Sequence, residues 1–191
     1  MIRLAEIVFV ALVALAIGLP SAWFETTRGW PIGALTIGEW TGWPAIGRAD
    51  ADPYSLARLA FLADLSLGSG EGLAFTAGSD SSGATLDAAC SYVLVGDTPQ
   101  ARLWTLTAYD AGGALMTTPI GRTSFNSREI LRRPDGRIDI AVGPSARPGN
   151  WLPLAGTGRF SLVLRLYDTP LTADTPLAQR VMPRIVKGGC A

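Results

Sequence analysis

The chain has 191 residues, 48% hydrophobic and 17% charged. That composition builds a buried core and excludes a wholly disordered polypeptide. Sixteen basic and sixteen acidic residues leave no net charge, so no field attracts nucleic acid, and histidine is absent. Its absence excludes His-based triads, His metal ligands and imidazole proton shuttles. The one lysine, Lys187, lies in the terminal tail, which argues against Schiff-base chemistry.

Leu4 to Trp23 is almost wholly apolar, interrupted by Glu6 near its start and by Gly18, Pro20 and Ser21 near its end. Twenty residues at about 1.5 Å each span about 30 Å, the thickness of a bilayer core. Arg3 precedes the segment and favours a cytoplasmic N-terminus, and Trp23 and Phe24 follow where an aromatic belt is expected. Residues 1–24 are therefore expected to be a transmembrane anchor. The competing reading is a cleaved signal, which fits less well because a cut after Ala22 places Pro20 at the small-residue position. Both readings export the rest, and the expected placement is a single-pass protein of the bacterial inner membrane with its C-terminal domain in the periplasm. In that compartment Cys90 and Cys190 can form a disulfide closing a loop of about 100 residues. The alternative leaves Cys90 a small buried hydrophobe and Cys190 a free thiol.

Residues 25–51 form a connector rich in Gly, Pro and Trp, including Trp30-Pro31 and Trp43-Pro44, with a possible strand over Ala34 to Trp40. Residues 52–191 are expected to be one β domain. Asp52-Pro53 opens a helix spanning about 53–66, with Leu56, Leu59, Ala60 and Ala63 at helical spacing. Strands are then expected at Gly72–Ala77, Cys90–Gly96, Ala101–Tyr109, Ala114–Thr118, Arg128–Arg133, Arg137–Val142 and Arg159–Asp168. Pro134-Asp135-Gly136 marks a hairpin. Residues 169–191 read as a meandering tail with three prolines. Short strands with Gly/Pro turns and one short helix predict a mainly β domain, an antiparallel sandwich or jelly roll.

Leu103-Trp104-Thr105-Leu106-Thr107-Ala108-Tyr109-Asp110 before a glycine turn carries a likeness, as does Asn150-Trp151-Leu152-Pro153 followed by Phe160 to Tyr167. Together they resemble the DUF1214 domain, over roughly residues 70–185. The resemblance implies a jelly-roll-like β-sandwich of unassigned function. It also implies the short, membrane-anchored branch, whose partner domain, DUF1254, would be a separate protein. No catalytic residue and no cofactor comes with it.

The chemistry-bearing residues suggest binding more than turnover. The carboxylates are spread through turns, with no spacing that demands an acid pair. Ser79-Asp80-Ser81-Ser82-Gly83 lacks the acid spacing of a calcium loop, and no metal site is expected. Asn150 and Trp151 stand in the most distinctive loop; they suit a structural plug, or a sugar platform supported by Tyr109, Asp110, Asn126 and Arg165. Arg165, the one charge within an apolar strand, is expected to find a structural ion pair, or failing that a ligand carboxylate. Two functions remain: a non-enzymatic envelope module that binds a partner protein or serves a structural role, and a carbohydrate-binding or carbohydrate-active domain. A small apolar ligand between the sheets is a third.

Overall fold

The computed structural model describes residues 2–28, 33–48, 51–62, 67–68, 70–171 and 181–190. The chain divides into two compact units, Met1–Gly33 with Ala45–Ser66, and Ala34–Pro44 with Leu67–Ala191.

The first unit is helical. Helix α1 runs Ile2–Arg28 and continues through Pro20. Over Arg3–Phe24 it is long and apolar enough to cross a membrane, and none of that stretch is buried. Helix α2, Pro53–Leu62, begins as the sequence predicts. Asp52 Oδ1 accepts the Ser55 N–H at 3.0 Å and the Asp52 carbonyl accepts the Leu56 N–H at 3.1 Å, so the first free amides are capped. Residues 63–66, where the expected helix would end, and Trp30-Pro31 lie outside the described residues.

The second unit is a two-sheet sandwich. One sheet has the order β1-β2-β3-β9-β5-β6 and the other β10-β4-β7-β8. The first is built from β1 (Leu35–Ile37), β2 (Trp40–Gly42), β3 (Gly72–Ala77), β5 (Leu103–Asp110), β6 (Ser124–Asn126) and β9 (Phe160–Tyr167). The second contains β4 (Cys90–Gly96), β7 (Ile138–Gly143), β8 (Asn150–Pro153) and β10 (Arg184–Cys190). Alternation places the inner residues: Phe160, Leu162, Leu164 and Leu166 of β9 are buried, while the residues between them are half-buried. They meet Phe75, Leu106 and Trp104 of their own sheet and Tyr92, Leu94, Ile140 and Leu152 of the other in one apolar core.

Several elements differ from the sequence reading. Ala34 to Trp40 is not one strand: it holds β1, a turn at Gly38 with φ 59° and the first residue of β2, which pairs back on β1 as a hairpin. Ala114–Thr118 reduces to a single bridge between Tyr109 and Leu115, and Arg128–Arg133 to one between Arg132 and Ile138. Ser124–Asn126 supplies an unanticipated edge strand. Asn150–Pro153 is a strand, paired parallel to β7. A parallel pair ordinarily needs a long crossover. Here the overlap runs only from Ile140↔Asn150 to Gly143↔Pro153, so the short segment 144–149 suffices for the return. Every other strand pair is antiparallel.

The largest difference is at the C-terminus. Residues 172–180 lie outside the described residues, but Arg184–Cys190 is an ordered strand rather than a tail. It is fixed at three points. Trp40 Nε1 donates to the Pro183 carbonyl at 2.8 Å. Glu39 accepts from the Ile185 N–H and, at 2.7 Å, from the Ser81 hydroxyl. Cys190 is disulfide-bonded to Cys90 across a separation of 100 residues, which suits an oxidising compartment. Replacing both cysteines by serine is expected to lower the unfolding free energy by about 2–5 kcal/mol, as in other disulfide-closed domains. Urea unfolding of the double variant against the oxidised protein measures it.

Candidate functional site

The sequence-predicted residues fall in separate places. Tyr109 of β5, Arg165 of β9 and Asn126 of β6 stand on the outer face of the six-stranded sheet. Register explains this: Thr105 pairs with both Arg165 and Asn126, while Ala74 pairs with Arg165 from the other side. Arg165 Nη1 donates to Tyr109 Oη at 3.1 Å, and the guanidinium carbon lies 5.5 Å from the ring centroid. Thr107, between them in the register, is buried although it belongs to the outer face. None of the ion pairs among the described residues includes Arg165, so the expected structural ion pair gives way to a tyrosine contact. A phenol on the same face holds the charge without neutralising it.

Asn126 faces the same way but serves its own turn. Its Nδ2 donates to Glu129 Oε1 at 2.6 Å, and its Oδ1 accepts the Arg128 N–H at 2.9 Å. Asp110 is likewise a turn residue, with Oδ1 accepting the Gly112 and Ala114 N–H groups at 2.9 and 2.8 Å.

Asn150 and Trp151 belong to the other sheet and do not join this group. Asn150 is buried. Its Nδ2 donates to the Leu131 and Asp139 carbonyls at 2.7 and 2.9 Å, and its Oδ1 accepts the Leu131 N–H at 2.8 Å. It thus ties an irregular segment to the edge of the sheet. Trp151 is half-buried, and its Nε1 donates to the Gly143 carbonyl at 3.0 Å. In register it ends a row running Val186, Val93, Ala141, Trp151 across the outer face of the four-stranded sheet.

The polar loop at 79–83 is more structured than its sequence suggests. Asp80 is buried. Its Oδ1 accepts the Ser82 hydroxyl at 2.6 Å and the Ser82 and Ala84 N–H groups at 2.8 and 3.1 Å. The Ser82 hydroxyl does most to hold this carboxyl below its ordinary value; burial opposes it, and the two amides and Lys187 reinforce it. Asp80 Oδ2 is buried without a hydrogen-bond partner among the described residues. No group of three or more metal-ligating side chains occurs among the described residues. Glu39, which joins this loop to β10, escaped the sequence reading; its signal is local only, a carboxylate in a tight turn after Gly38.

Other acids are also engaged at home: Asp87 accepts from Ala89 and Gly158, Asp139 pairs with Arg133, and Asp135 with Arg137. Both cysteines are in the disulfide. The chemistry this offers is a hydroxyl-rich face with one half-buried cation, Arg165.

Two outcomes follow from these contacts. Asp80 titrates below its ordinary 3.8 in the folded chain, so its stabilisation is full above that value and lost as pH falls through the folded value. Asp80→Asn is expected to remove this part of the acid sensitivity below about pH 4, read from urea midpoints at several pH values. Asn150→Ala leaves the Leu131 N–H and the Leu131 and Asp139 carbonyls without these part-buried bonds and is expected to cost about 1–3 kcal/mol in the same assay.

The family model described as "Protein of unknown function (DUF1214)" matches residues 71–171, more than half of the chain. No curated protein matches this chain. Among solved structures, the VPA0106 protein from Vibrio parahaemolyticus shares the fold with TM-score 0.59 and 22% identity, over 73% of this chain. An uncharacterised protein from Burkholderia cenocepacia gives TM-score 0.42 and 17% identity over 61% of it. This chain spans 36% and 29% of those two chains. The sandwich, its strand motifs and the family match agree: the chain belongs to the DUF1214 family.

Proposed function

We propose that this is a non-enzymatic envelope module, held by α1 as a single-pass anchor in the bacterial inner membrane, with its sandwich in the periplasm and a partner protein as its ligand. The observation that carries the reading is α1 itself. Leu4, Phe9, Leu12, Leu15, Ile17 and Leu19 are each more than half exposed, which is costly in water and favourable in hydrocarbon. Arg3 at its start supports an exported C-terminal part, and the Cys90–Cys190 bond supports an oxidising compartment. The family resemblance makes a separate DUF1254-type protein a reasonable partner to test first. The carbohydrate reading finds less support. The Tyr109 ring carries the Arg165 guanidinium, and Asp110, Asn126 and Asn150 already satisfy local backbone or side-chain groups.

In cells the intact chain is expected in the membrane fraction after alkaline extraction, with residues 1–24 present by mass and both cysteines resistant to alkylation until reduced. Cytosolic protein with free thiols would overturn the placement. Turnover of glycans or esters by the full chain would overturn the non-enzymatic reading.

A further inference from the structure

Six strands of the first sheet keep one register on their outer face. Thr36 pairs with Thr41, Thr41 with Thr76, Thr76 with Val163, Val163 with Thr107, and Thr107 with Ser124. The adjacent row runs Ala74, Arg165, Thr105, Asn126. Among the outward-facing residues of these strands, Arg165 carries the one formal charge. Resting on the partner-binding reading, we propose that this face is the docking surface, and that it takes an acidic protein surface whose Asp or Glu carboxylate meets Arg165.

Charge complementarity selects the occupant. A guanidinium holds five N–H donors in a fixed fork suited to a carboxylate, and Tyr109 takes one of them. The phenol orients the fork without neutralising it. The inner strands of the sheet use their backbone N–H groups in the ladder, so a small free anion would find a single half-buried arginine and little else. A flat partner gains the threonine methyl and hydroxyl contacts as well. A sugar ring would need the Tyr109 face that the guanidinium occupies. The longest strands have 8 residues, and six strands at about 4.8 Å spacing with short outer members offer on the order of 500 Å². That lies at the small end of specific interfaces, as suits a weak contact strengthened by co-tethering on one membrane.

A photo-crosslinking residue at Thr76 of the full-length, membrane-anchored chain tests this in cells, with a second probe at Val93 on the outer face of the other sheet. Thr76 is expected to crosslink to a peptide of another protein with Asp or Glu at the contact. Arg165→Gln should lower the yield about tenfold, the size of a moderate interface contribution. Ala74→Glu, which sets an internal carboxylate beside Arg165 and removes no contact, should do the same. A yield unchanged in both variants overturns the proposal, as do crosslinks at Thr76 to glycan, to lipid or to a second copy. Protein crosslinks at Val93 alone overturn this surface and leave the partner-binding reading standing. No protein crosslink from either probe overturns both.

Discussion

The period-two alternation of β9 is the constraint on which the sandwich and its outer surface both rest. This strand pairs with β5 along its whole length and with β3 from Leu162 to Tyr167. Its even-numbered residues, Phe160 to Leu166, must face inward, because a one-residue slip would send four large apolar side chains into water. The same parity forces Arg165 and Tyr167 outward. The single cation of the outer face is therefore a consequence of the core, placed by the side chains behind it. β5 obeys the same rule in register, which brings Tyr109 within reach of Arg165.

A second constraint acts across the two sheets. β10 belongs to the four-stranded sheet, yet its start is held by Trp40 and Glu39 of the β1–β2 hairpin, which belongs to the six-stranded one. Ser81 completes the link by donating to Glu39 and bonding Ile185 through its own backbone. The disulfide then holds the far end of the strand against β4. Hydrogen bonds alone would leave a terminal edge strand free to fray; a covalent closure over 100 residues removes that freedom chiefly from the unfolded chain. Such a bond suits an oxidising compartment.

The two outer faces of the sandwich differ in chemistry. The six-stranded sheet shows hydroxyls, methyls and Arg165, whereas the four-stranded sheet shows the row from Val186 to Trp151. Asn150 explains why Trp151 sits where it does. Its buried amide fixes the start of β8, and Trp151 then hydrogen-bonds back to Gly143 at the end of β7. That loop-like sequence thus forms a short parallel strand with a buried polar anchor at its start.

The sequence by itself determined the apolar span, the absence of imidazole chemistry, the helix start at Asp52-Pro53 and the long alternating strands, since each depends on local spacing. Gly72–Ala77 and Cys90–Gly96 were legible to the residue for that reason. The resemblance to DUF1214 was legible in the motifs of β5, β8 and β9. Tertiary structure decided the rest. Arg184–Cys190 and Ser124–Asn126 lack a strong pattern of their own and become strands because an available edge satisfies their backbone groups. Whether Arg165 met a carboxylate or a phenol, and whether Trp151 stood beside it or on the opposite sheet, depended on strand order. Strand order is set by how non-local faces close over a shared core, and no local spacing records it.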